Sequence, residues 1–256
     1  MFKAVVSDLD GTLLNAEHKV SEFTRETVEL LLKKGIKFYI ATGRNYLGAK
    51  EAMDELGVKV PLITSHGSAA FDEDGNEIFS NRLKREYLDK VLNIDYKSFG
   101  KDIIITGYSG PNWFVTEDLR EYFYNKKPDR TRYPKQIAPE EFKKCDFTKI
   151  FFLGEDHDEL LELESEIKKA VGEENISLLF ANEGSLEVFP ADCNKAKAAE
   201  EVLKRDGLTL KEAVAFGDGL NDYDLITETG LGFAMENSIY LLLEKLKDTE
   251  VIESNA

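Results

Sequence analysis

The sequence predicts an α/β fold: a Rossmann-like parallel-sheet core domain built from both ends of the chain, with an α+β domain inserted between them. Three observations predict it. Apolar strand runs alternate with amphipathic helices in the first 65 residues and again after about residue 194. The middle of the chain abandons that alternation for hairpins mixed with helices. Clusters of Asp, Thr, Gly and Asn follow the apolar runs of the outer parts, and open parallel sheets bind ligands beyond the carboxyl ends of their strands.

"FKAVVSD" reads as a buried strand by its length and its valines. Ser21 caps a helix that aligns Val28, Leu31 and Leu32, and Gly35 ends it. "IKFYIA" (36–41) is a second strand, followed by "TGR". A helix over 45–56 stops at Gly57, and "PLITS" (61–65) is a third strand. "AAFDEDGNEIFS" (69–80) reads as a hairpin about its "DEDGNE" turn. A charged helix starts near 84, and "DIIITGY" (102–108) and "NWFVTE" (112–117) are strands joined by "SGP". The stretch 118–145, rich in charge, Tyr and Pro, gives no clear element. "FTKIFFLGE" (147–155) is a strand, and the helix after it aligns Leu160, Leu163, Ile167, Ala170 and Val171. "ISLLFAN" and "SLEVFP", within 176–190, are strands. A helix over 195–205, the strand "AVAFGDG" (213–219), a further helix, "GLGFAM" (230–235) and a last helix follow. The expected domains are therefore 1–82 with 190–256, and an insert at 83–189, a plausible size for one domain.

Composition narrows the function. The 256 residues, 42% of them hydrophobic, suffice for one large domain or two modest ones. No apolar run approaches the ~20 residues that cross a bilayer. The first residues run straight into a strand pattern, so no secretory leader is expected. Cys145 and Cys193 lie too far apart for a C-x-x-C site and are expected as reduced thiols of a cytoplasmic protein. The net charge of −16 repels phosphate backbones and argues against nucleic acid as a partner. An anionic substrate would need positive charge gathered locally. A small metabolite is the expected partner, without membrane or nucleic acid, and a monomer is compatible with the sequence.

Asp8 and Asp10 end the first strand as two like charges that oppose each other's ionisation. Thr42, Gly43 and Arg44 follow the second strand, Asp218, Asn221 and Asp222 a late one, and Lys195 opens a helix. Phosphoryl transfer fits this set, because a carboxylate can attack phosphorus and form an aspartyl-phosphate. Two unit charges ~4 Å apart repel by ~4 kcal/mol at an effective dielectric of ~20. Magnesium, a hard oxygen-seeking cation, offsets that repulsion. Asp8 and Asp218 can hold it, Lys195 adds positive charge, Thr42 a hydroxyl, and Gly43 an unobstructed amide. Asp10 could protonate the leaving alcohol and then deprotonate water, which requires its pKa to lie above that of Asp8. Lys197 rivals Lys195, Arg44 suits a substrate anion or a structural ion pair, and His66 reads as a structural or rim histidine. In the insert, Tyr108, Trp113, Tyr122, Tyr124 and Tyr133 neighbour Arg130 and Arg132, whose alternation suits contacts to an anionic substrate. An EF-hand is excluded, since Leu13 and Glu77 stand where its two candidate loops need glycine.

"DLDGTLL", "ATGR", Lys195 and "GDGLNDYDL" resemble, in order, the four motifs of the haloacid dehalogenase-like (HAD) phosphatase superfamily. The insert lies between the second and third, as in Cof-like phosphatases with a C2-type (C2B) cap, and "GLGFAMEN" (230–237) resembles their G-x-x-x-A-M-x-N segment. The resemblance implies Asp8 as nucleophile, Asp10 as general acid/base, and Thr42 and Lys195 as phosphoryl-binding residues, choosing Lys195 over Lys197. It implies a metal held by the Asp8 carboxylate, the Asp10 backbone carbonyl and Asp218, with Asn221 and Asp222 behind or acting through water. The expected activity is magnesium-dependent hydrolysis of a small phosphorylated metabolite, such as a sugar phosphate. A phosphohexomutase of the same superfamily and a non-catalytic phosphometabolite-binding protein are the alternatives. His66-Gly67-Ser68 stands where the family often has N-G-A, Ala196 follows the lysine in place of glycine, and the T-x-x-N-D-E-D-G tail is absent or cut short.

Overall fold

The computed structural model describes residues 2–110, 112–119, 133–247 and 249–255. The chain divides into two compact units, Met1–Ser80 with Cys193–Ala256, and Asn81–Asp192. The junctions thus fall at 80/81 and 192/193, where strands have just ended, against the expected 82/83 and 189/190. The first part of the outer unit supplies β1 (Ala4–Ser7), β2 (Lys37–Ala41), β3 (Leu62–Thr64), β4 (Ala69–Phe71) and β5 (Glu77–Ser80). The insert supplies β6 (Ile104–Ser109), β7 (Asn112–Val115), β8 (Lys135–Gln136), β9 (Lys149–Leu153), β10 (Ile176–Asn182) and β11 (Ser185–Pro190). The return supplies β12 (Ala213–Gly217), β13 (Leu231–Met235) and β14 (Glu250–Ile252).

The outer sheet has the order β14-β13-β12-β1-β2-β3-β4-β5. It is parallel from β14 to β3, and the β4–β5 hairpin adds two antiparallel strands at one edge. Successive side chains of a strand face opposite ways. Ala4, Val6, Tyr39 and Ala41 therefore pack on one face with Ala196, Ala199, Val202 and Leu203 of the helix Lys195–Arg205. Phe38, Ile40 and Leu62 pack on the other with Ala52, Met53 and Leu56 of the helix Tyr46–Leu56 and Val28 of the helix Glu22–Lys33. Each buried Leu, Ile or Phe contributes about 1.5–3 kcal/mol. Helix entry is set by side-chain caps: Ser21 Oγ accepts from Thr24 N (3.1 Å), Asn45 Oδ1 from Gly48 N (2.9 Å) and Asn194 Oδ1 from Lys197 N (2.7 Å).

The insert is an α+β unit with a sheet ordered β10-β11-β9-β6-β7-β8. Ile105, Ile150, Phe152, Leu186 and Val188 face the helices Arg85–Leu92 and His157–Val171. Tyr108, Trp113, Val115, Phe151 and Leu153 form a second cluster, in which Tyr108 and Phe151 lie 5.2 Å apart between ring centroids. Two strands escape the sequence pattern, β8 and β14, because runs of two and three residues carry too little periodicity to read. Among the described residues no helix is long and apolar enough to cross a membrane.

Candidate active site

β1 sits between β2 and β12, and Ser7 is level with both Ile40 and Phe216. The order of connections reverses here, which makes this edge the crevice of a parallel sheet. Asp8 leaves β1 with its amide donating to Phe216 O (2.9 Å). The chain then folds into a tight turn, Leu9–Leu13, closed by Leu14 N donating to Leu9 O (2.9 Å). Gly11 has φ 81, and a Cβ there would stand 2.4 Å from Asp218 Oδ2. Only glycine lets this turn approach Asp218 so closely. Thr12 Oγ1 donates to Asp218 Oδ1 (2.9 Å), Asn237 Nδ2 to Gly11 O (2.8 Å) and Ile239 N to Asp218 O (3.1 Å).

Burial decides the charge balance. Lys195 has no exposed surface, and its ammonium donates to the carboxylates of Asp8 and, at 2.6 Å, Asp222. A buried ammonium persists only when paired in this way. Burial alone would lower the Lys195 pKa, but the carboxylates of Asp222 and Asp8 raise it. Burial holds Asp8 well above the usual carboxylate range; Lys195 opposes that shift, and Asp222 and Asp218 add to it. Asp218 is likewise raised by burial and by Asp222. The second oxygen of Asp222 accepts from the amides of Asp218 (3.2 Å) and Gly219 (3.0 Å). Lys197, the rival of Lys195, is exposed.

Asp10 departs from expectation. Burial would raise its pKa, but the Arg44 guanidinium, bonded to both carboxylate oxygens and through Nε at 2.7 Å, pulls it below the ordinary value. The expected order, Asp10 above Asp8, is reversed, and the cause is this two-pronged ion pair. His18, which the sequence did not single out, places Nδ1 3.6 Å from Asp10 Oδ1. Nothing in "NAEHK" signals that approach.

Thr42 and Gly43 lie at the end of β2. Thr42 N donates to Ile63 O (2.8 Å), and Thr42 Oγ1 accepts from Arg44 N (3.1 Å). A Cβ on Gly43 would stand 2.4 Å from His66 Cε1. Asn221 Nδ2 lies 3.1 Å from His66 Nδ1. Asp8, Lys195, Asp218 and Asp222 thus share one set of contacts, and Asp10, Thr42, Gly43, Arg44 and Asn221 lie in another that includes His66, both within the outer unit. Tyr108 and Trp113 belong to the insert, whereas Tyr122, Tyr124, Arg130 and Arg132 fall outside the described residues. The sequence reading missed a buried pair in the insert, Lys149 Nζ to Glu187 Oε1 at 2.9 Å. Its signal was available: a charge at an inward position of "TKIFFL" and another in "SLEVF".

Asp8, Asp218 and Asp222 place carboxylate oxygens within 4.8 Å of one another. An all-oxygen set of this kind suits a hard divalent cation. Both oxygens of Asp222 already serve Lys195 and two amides, so it fits a supporting place better than a direct one. Both oxygens of Asp10 face Arg44, which leaves its backbone carbonyl as a donor.

A model of the haloacid dehalogenase-like hydrolases matches residues 5–256. The chain belongs to this family. A protein of Buchnera aphidicola (Baizongia pistaciae), named as a phosphatase by inference, is 35% identical over 263 residues, covering 100% of this chain and 94% of its own. An HMP-PP phosphatase of Yersinia pestis is 28% identical over 258 residues, covering 98% and 90%. The solved structure of a HAD subclass IIB sugar phosphatase superposes with a TM-score of 0.78 over 98% of this chain and 93% of that one, at 22% identity, a likeness of fold. This HAD hydrolase has a parallel-sheet core domain and an inserted α+β domain.

Proposed function

We propose that this HAD hydrolase is a phosphatase that hydrolyses a small phosphorylated metabolite, a sugar phosphate first among candidates, with magnesium and through an aspartyl-phosphate on Asp8. The observation that carries the reading is the buried cluster at the crevice, with Asp8 held between the Lys195 ammonium and a set of carboxylate oxygens. Asp8 attacks phosphorus while the bond to the leaving oxygen breaks, and Asp10, freed from Arg44 and protonated from water as substrate enters, gives that oxygen its proton. Water then attacks the aspartyl-phosphate, Asp10 takes its proton, and phosphate leaves with Asp8 restored. Magnesium bound by the Asp8 and Asp218 carboxylates would supply the positive charge that lets two anions approach. Lys195 adds a second positive charge beside the nucleophile. The Thr42 hydroxyl oxygen accepts from Arg44 N, so its proton can go to a phosphoryl oxygen. The Gly43 amide and the Asn221 side chain complete the phosphoryl cradle. Arg44 exchanges Asp10 for a phosphoryl oxygen when substrate enters, which releases Asp10 for proton transfer. The names of the HMP-PP phosphatase and the sugar phosphatase support a small phosphorylated substrate. Phosphate release from a panel of phosphorylated metabolites tests the reading. Turnover should require magnesium, stop on chelation and vanish in a folded Asp8→Asn variant; an active Asp8→Asn would remove the nucleophile.

A further inference from the structure

The turn Ser65–Gly67 follows β3 and has no place in the steps above. Ser65 and His66 both adopt left-handed backbone conformations, with φ 50 and 58, and Gly67 continues them with φ 92. A side-chain-bearing residue rarely sits there, and does so where its surroundings hold it. His66 is also buried, 5% exposed.

This short turn meets three of the segments that build the site. Ser65 N donates to Arg44 O (2.8 Å) and His66 N to Thr42 O (3.1 Å), while the His66 ring covers Gly43. On its other side the ring meets Asn221. An amide nitrogen only donates, so His66 Nδ1 accepts and carries no proton in this contact. Gly67 abuts the residue before Lys195: a Cβ there would stand 2.3 Å from Asn194 O. The loop after β2, the loop after β12 and the start of the lysine helix therefore share one neighbour.

Resting on the phosphoryl-transfer reading, we infer that His66 is a positioning residue. It fixes the spacing between the Thr42–Arg44 loop and Asn221, and so the place where the phosphoryl group meets Asp8. Misplacement of reacting groups by about 1 Å can cost ~100-fold in rate. The backbone conformation favours His or Asn, and Asn can put an acceptor oxygen where Nδ1 stands.

The experiment compares the parent with His66→Ala, His66→Asn, Asn221→Ala and the double alanine variant, each checked by thermal melting. Steady-state kinetics on a chromogenic phosphate monoester with magnesium give kcat and KM. The rise in melting temperature caused by inorganic phosphate with magnesium is the second readout. His66→Ala should lose about 10- to 100-fold in kcat with a smaller change in KM. The double variant should be no worse than the worse single one, because both residues act through one contact. His66→Asn should recover most of the rate and the phosphate-induced melting shift. A folded His66→Ala with kcat within about twofold of the parent, or losses that multiply in the double variant, would overturn the inference. If His66→Ala does not fold, a normal kcat in Asn221→Ala would overturn it equally. A parent that hydrolyses no phosphate monoester instead overturns the phosphatase reading. The melting shift, lost in His66→Ala and kept in His66→Asn, then still decides the positioning role, and no shift in the parent counts against both.

Discussion

Lys195 is the residue on which the site's electrostatics turn, since its ammonium balances two carboxylates where water does not reach. Removing one partner of a buried ion pair typically costs about 3–5 kcal/mol, because the other charge stays buried alone. Lys195→Met should therefore lower unfolding free energy by about that much in metal-free urea titrations, besides ending turnover. A loss below about 1 kcal/mol would show that the buried ion pairs add little to stability. Arg44 makes a pH prediction. It lowers the folded-state pKa of Asp10, so the pair stabilises the protein above the unfolded carboxyl value and that stability disappears as pH falls through the lower folded value. Arg44→Ala should flatten this acid limb in melting curves taken below about pH 4. The positions of the carboxylates and Thr42 at strand ends were legible because each follows an apolar run, whereas Lys195 was separated from Lys197 only by the family resemblance. His18 beside Asp10 and Asn221 beside His66 were not, since each contact joins residues whose approach depends on how loops close.

At the scale of elements, local rules read well wherever an element is long. Ser21, Asn45, Gly35 and Gly57 bound their helices as capping chemistry requires. They failed for β8 and β14, whose existence depends on the neighbouring strand offering free hydrogen-bonding groups. The turn after β1 is the element most exposed to a single change. Gly11→Ala places a side chain at φ 81 and against Asp218. The backbone penalty is about 1–2 kcal/mol. Relief of the clash should push the turn away from Asp218 and cost activity by about 100-fold. Urea titration and phosphate-release assays measure the two effects separately, and a fully active Gly11→Ala would show that close approach is unnecessary.

Over the whole molecule, two units with separate apolar cores make two unfolding transitions the natural expectation. Ligands bound at the carboxylate cluster touch the outer unit. Saturation at about 100 times Kd adds about 2.7 kcal/mol to whichever unit binds. Magnesium with phosphate should therefore raise one calorimetric transition and leave the other in place. A shift of both together would mean that the units unfold as one. The interleaved chain path also bears on how the molecule is made. Domains tend to fold as units while the ribosome is still at work. Residues 81–192 are contiguous and can condense as soon as they emerge, whereas β1 must wait for β12 to be translated. The inserted domain is thus complete while the hydrolytic centre is still in two halves, and competence for catalysis is the last property a newly made copy acquires.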